Sequence, residues 1–259
     1  MSFRPHTRIR PIAKCLSIGA LVVGQLSLSL LPSQAGFIGG VAEFGAKLKF
    51  PPTQDLGAPS RSTGGGTRGG ECIAEGEAVP IQAIVPPATH NKTSDSTPEI
   101  VVYVGDTSAS DIEVRMFDSG FNLVGPVDPH RISLDGRKSG LMTVSLLPEG
   151  EDNLSLEPGT YRWSVMLVCD ANSSDRAGDP FDFGELEVVS LEETDQQELA
   201  GVQGLAKAEL SLNKNLGYDT LAIAAGLYTS DPDAWTELIS SIKFDDSAKA
   251  AITEASFLD

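Results

Sequence analysis

Apolar residues in this chain change their spacing once, near Leu191, and that change constrains the architecture more than any other feature. Before it, short apolar runs lie over 79–85, 100–104, 112–117, 141–147, 161–169 and 183–190. Turn signals separate them at Asp118-Ser119-Gly120, Asp135-Gly136, Glu149-Gly150 and Pro158-Gly159. Short runs at such intervals predict antiparallel strands in two packed sheets. In the 161–169 run, period two gathers Tyr161, Trp163, Val165, Leu167 and Cys169 on one face, which is expected in the core.

Beyond Leu191 the period is helical. Thr194, with Gln197 three residues on, reads as a capping box, and Leu199, Val202, Ala206 and Leu210 continue one stripe. Gly201 and Gly204 weaken that helix. Tyr218, Leu221, Ala225 and Tyr228 mark a second helix. Asp231 as N-cap and Pro232 at the first helical position open a third, striped by Trp235, Leu238, Ile239 and Ile242. A short fourth follows Asp245. The predicted fold is therefore mainly β with an α tail. An antiparallel, immunoglobulin-like β-sandwich covers 71–190, and a small C-terminal helical bundle covers 191–259. A Gly/Pro-rich entry segment, 36–70, precedes them.

Residues 1–35 read as an export signal. Arg4, Arg8, Arg10 and Lys14 precede an apolar run over 15–31, Pro32 breaks it, and Ser33-Gln34-Ala35 offers a cleavage site. The run is shorter and less apolar than the ~20 residues of a spanning helix. The expectation is export to the periplasm or beyond, with no transmembrane segment after cleavage. The 36 acidic against 19 basic side chains give a net charge of −17, which argues against nucleic-acid partners.

After such cleavage, Cys72 and Cys169 are the cysteines that remain. In an oxidising compartment they are read as one structural disulfide, the alternatives being two buried thiols or a nucleophilic cysteine. Their spacing is far from a Cys-x-x-Cys redox motif.

Several blocks resemble a known family. They are Phe50-Pro51-Pro52, Gly57-Ala58-Pro59-Ser60-Arg61, Gly64-Gly65-Gly66-Thr67-Arg68-Gly69 with Cys72, and Ile84-Val85-Pro86. Further on come Leu156-Glu157-Pro158-Gly159, Tyr161-Arg162-Trp163, Cys169-Asp170 and Tyr218-Asp219-Thr220-Leu221-Ala222. Together they resemble the cyanobacterial domain of unknown function 928 family, over nearly all of 50–245. The stretch Asp179-Pro180-Phe181-Asp182-Phe183-Gly184 departs from it, where a more apolar strand start is expected. The resemblance implies an exported envelope protein and no assigned activity.

Chemical motifs are few. Gly64, Gly66 and Gly69 meet the G-x-G-x-x-G spacing, but proline-rich coil precedes them and no helix follows, which excludes dinucleotide binding. The glycine amides of Gly64, Gly65 and Gly66, with Thr67, Arg61 and Arg68, remain a candidate anion- or partner-binding nest. The competing reading is a tight backbone crossing. Asp170, Asp175, Asp179 and Asp182 form a weak calcium candidate without EF-hand order, against a solvated acidic loop. No metal or other cofactor and no catalytic residue is assigned.

The tail holds 13 acids against 4 bases, and Tyr228, Trp235 and Leu238 are candidate docking residues for a basic envelope partner. On that reading a chain ending at Ser190 still folds. The functional expectation is an exported, non-enzymatic binding or assembly module. The alternative is a carboxylate-dependent hydrolase in the envelope, marked by two facing carboxylates in a pocket.

Overall fold

Each of the six apolar runs forms a strand, and three short strands join them. A computed structural model describes residues 48–52, 72–134, 136, 139–148 and 154–258. Residues 1–35, and the glycine block with Arg61, Thr67 and Arg68, lie outside the described residues. In order, the strands are β1 (Ile81–Ile84), β2 (Lys92–Thr93), β3 (Glu99–Val104), β4 (Asp111–Asp118), β5 (Leu123–Val124), β6 (His130–Ser133), β7 (Gly140–Ser145), β8 (Gly159–Val168) and β9 (Phe181–Val188). The helices are α1 (Glu193–Ala200), α2 (Gly204–Asn213), α3 (Gly217–Gly226), α4 (Pro232–Ser240) and α5 (Asp246–Glu254).

Strands β1, β3 and β7 make a three-stranded antiparallel sheet in the order β1-β3-β7. The larger sheet runs β2-β9-β8-β4-β5, with β6 also paired to β4. Its pairs are antiparallel except β2 with β9. One core draws on a face of each sheet: Ala83, Val102 and Val144 from the small one, Ile112, Val114, Trp163, Val165, Leu167 and Leu186 from the large one. Trp163, Val165 and Leu167 are buried and Tyr161 and Cys169 half-buried, as period two predicts. Gly184, opposite Trp163, has no room for a Cβ, which would stand 2.8 Å from the indole Cε2.

Two covalent or buried polar links join distant parts of the chain. Cys72 and Cys169 form a disulfide, Cα to Cα 5.1 Å, across 97 positions of sequence. Asp182 is buried; its Oδ2 accepts from Gln82 Nε2 at 2.6 Å and from the Ala83 amide at 2.9 Å. This bond ties β9 of one sheet to β1 of the other.

The other face of the small sheet carries a second core. Val79, Ile84, Val101, Tyr103 and Leu141 pack against Leu221, Ala225, Trp235, Leu238 and Ile252 of the helices, and Leu48 and Phe50 join them. Helices hold nearly as many of the described residues as strands do, so "mainly β" understates their share. The described residues belong to one compact unit, Gly45–Asp259, and the helices share a core with the sheet.

Two local expectations change. The predicted first helix is two, because Gly204 takes φ +58° and breaks the ladder after α1. Thr194 lies inside α1, whose N-cap is Glu192, so the Thr194–Gln197 capping box does not form. By contrast, the Asp231 side chain accepts from the Ala234 amide and Asp245 from the Ala248 amide, as N-caps do. Among the described residues no helix is long and apolar enough to cross a membrane.

Candidate functional site

A cleft of about 690 Å³ opens where the β2 edge of the large sheet meets α1, α2 and α3. Its geometry follows from a two-residue strand. Lys92 and Thr93 pair in parallel with Glu187 and Val188, and the Val189 amide donates to the Thr93 carbonyl at 2.9 Å. The chain then leaves the sheet at Ser94-Asp95-Ser96 and forms one wall. The opposite wall is α2 and α3, and α1 with Ser190 and Leu191 closes one end.

Asp219, in the first turn of α3, clamps the two walls together. Its Oδ1 accepts a short bond from the Thr93 hydroxyl. Its Oδ2 accepts from the Ser94 amide at 3.0 Å and the Ser94 hydroxyl at 2.6 Å. Burial raises the Asp219 carboxyl above the usual aspartate range; the charge of Asp95 adds to this, and the hydrogen bonds oppose it. The helix can approach this closely because residue 217 is glycine. A Cβ there would stand 2.6 Å from the Pro86 Cβ, next to the short bridge between Asn91 and Leu216.

The lining is mixed. Leu156, Val188, Leu199 and Ile223 give an apolar floor, and Ser96, Ser190, Gln196 and Ser211 add polar groups. Asp95, Glu99 and Asp219 set three carboxylates against one amine, Lys207. Such a surface favours a ligand rich in N–H or O–H donors, or one carrying positive charge. The Ser94 hydroxyl is oriented by a carboxylate, and among the described residues no histidine lines the cleft. His90 is buried, its imidazole lowered by that burial, and stacks edge-on against Phe50.

The candidate residues read from sequence fall elsewhere. Trp235 and Leu238 are buried in the helix-side core, and Tyr228 is half-buried against Phe257 at 4.9 Å between ring centroids. Their stripe covers the small sheet, so the exposed docking patch expected of them is not present. The four aspartates do not converge. Asp170 accepts from the Asn172 amide, Asp175 from the Ala177 amide, Asp179 pairs with Arg176, and Asp182 points into the protein. Among the described residues no group of three or more His, Cys, Asp or Glu side chains is placed to hold a metal ion.

Residues 63–252 match the model of a protein family described as Domain of Unknown Function (DUF928). The chain belongs to the DUF928 family. Among curated proteins no match was found. The DUF928 match spans both cysteines, both walls of the cleft and most of α5. Asp219 lies within the Tyr218-Asp219-Thr220-Leu221-Ala222 block that resembles the family, which marks the segment without marking the cleft.

Proposed function

We propose that this DUF928 protein is an exported, non-enzymatic binding or assembly module of the cyanobacterial envelope. It takes a basic or hydroxyl-rich segment of a partner into the cleft between the β2 edge and α1–α3. The observation that carries the reading is the cleft's lining: an apolar floor under three carboxylates and one amine, its walls joined by the Asp219 clamp. The two sheets read as an immunoglobulin-like sandwich, with the helices as a small bundle laid on it. The Cys72–Cys169 disulfide and the basic, then apolar start of the chain support export. Asp219 gives the hydrolase alternative one raised carboxyl, but it accepts bonds from Thr93 and Ser94 of the facing wall, which suits a clamp.

The test is photo-crosslinking in the envelope of the source cell, with a photoreactive residue at Ala222 in the cleft and a control at Asp128. An adduct at Ala222 alone is expected. The double change Asp95→Asn, Glu99→Gln should reduce it roughly tenfold, the equivalent of ~1.4 kcal/mol. Equal adducts at both positions, or an adduct indifferent to the two carboxylates, would overturn the reading.

A further inference from the structure

We propose that Arg115, Arg131 and Arg176 form an oxyanion-binding site on the outer face of the large sheet, separate from the cleft. Its ligand is a phosphate, sulfate or carboxylate group carried on a flat apolar body.

The placement follows from strand alternation. On β4, Ile112, Val114 and Met116 point into the core, so Glu113 and Arg115 lie on the opposite face. Pairing sets Arg131 of β6 opposite Glu113. Arg176 reaches the same point from the loop between β8 and β9. Glu113 Oε1 accepts from Arg115 Nε at 2.9 Å, and its Oε2 lies 3.4 Å from both Arg131 Nη2 and Arg176 Nη2. Arg176 Nη1 also holds Asp179 Oδ2 at 3.1 Å and donates to the Asp170 carbonyl at 3.1 Å.

Two features separate this cluster from ordinary surface ion pairs. First, one guanidinium is enough to neutralise a buried carboxylate, yet three converge on Glu113. Among the groups in direct ion pairs, three arginines stand against two acids, Glu113 and Asp179. Second, the acids lie beneath and the cations above. The Glu113 and Asp179 side chains are 5% and 6% exposed, against 37%, 42% and 23% for Arg115, Arg131 and Arg176. An approaching ligand meets guanidinium edges already fixed in place, which lowers the ordering cost of binding. Arg162, on the same face, differs. It is paired with Glu185 at 3.2 Å and stacked over Phe121 at 4.5 Å, with no excess charge.

The apolar half of the ligand has its own surface. Across the sheet, Glu113 pairs with Met166, and Met166 pairs with Phe181. Phe181 is 47% exposed and stacked with Phe183 at 6.2 Å. The arginines and this aromatic pair therefore flank one row of the same face.

Titration of the full chain, disulfide intact, with phenyl phosphate and with inorganic phosphate tests the site, read from the arginine Nε–Hε signals by NMR. Saturating shifts at Arg115, Arg131 and Arg176 are expected, with phenyl phosphate the tighter by several-fold. Arg131→Ala should weaken binding about tenfold while moving Tm by less than about 2 °C. Arg162→Ala should leave it unchanged. Should Arg176→Ala fail to fold by stranding Glu113, the exposed Arg131 carries the same test. Non-saturating shifts shared equally by Arg162, or affinity indifferent to Arg131, would show only general ion attraction and would refute the site. Equal affinity for the two probes would refute the apolar half alone.

Discussion

A chain ending at Ser190 is expected to lose cooperative folding. Ile84, Val101, Tyr103 and Leu141, on the outer face of the small sheet, are buried under the helices, and exposing them removes that cover. Burial of a large apolar side chain contributes roughly 1.5–3 kcal/mol, so these four alone represent about 6–12 kcal/mol. That is comparable to the whole stability of a domain, about 5–15 kcal/mol. The truncation also removes backbone bonds: the Leu141 amide donates to the Ser256 carbonyl at 2.8 Å, and the Leu258 amide to the Leu141 carbonyl at 2.7 Å. Urea denaturation followed by circular dichroism should show no sigmoidal transition. A two-state curve close to that of the full chain would mean the helices are dispensable, as the change of period at Leu191 first suggests.

Trp163→Ala carries the largest effect expected of a single substitution. The indole is 1% exposed, between Met116 of β4 and Gly184 of β9. Its Nε1 donates to the Tyr218 hydroxyl at 3.3 Å, and Tyr218 donates to the Glu185 carbonyl at 2.9 Å. Through that pair, α3 is bonded to the core between the sheets. Truncating a buried tryptophan costs about 3–5 kcal/mol. At roughly 2–4 °C per kcal/mol for a chain of this size, Tm should fall by about 6–20 °C. Thermal denaturation of the oxidised protein measures it; a fall of less than about 3 °C would place the indole outside the core.

Local structure was legible where one residue type has one cheap solution. Period two placed Trp163, Val165 and Leu167 inside, and Asp231-Pro232 and Asp245 opened α4 and α5. One available cysteine pair led to the disulfide. Strands β2, β5 and β6 escaped because two to four residues carry too little periodicity. The stripe of Trp235 and Leu238 showed that a face needs cover, yet a stripe does not name its partner. That partner is a sheet contributed by residues more than 90 positions earlier. Glu113 and Asp182 were missed for another reason. Composition reads acids as solvated, and only the fold reveals three guanidiniums over one and the Ala83 amide against the other. The cleft escaped because its walls come from 93–96, 188–200 and 207–223, segments with no shared motif.

The walls of the cleft, β9 with β2 on one side and α3 on the other, are expected to open only with the whole molecule, which makes the site preformed. Native-state hydrogen exchange measures this directly. The amides of α3 and those of β8 and β9 should exchange through a common opening whose free energy equals that of global unfolding. Exchange of α3 several kcal/mol more easily than β8 would make the helical wall a separately unfolding element rather than part of a fixed site.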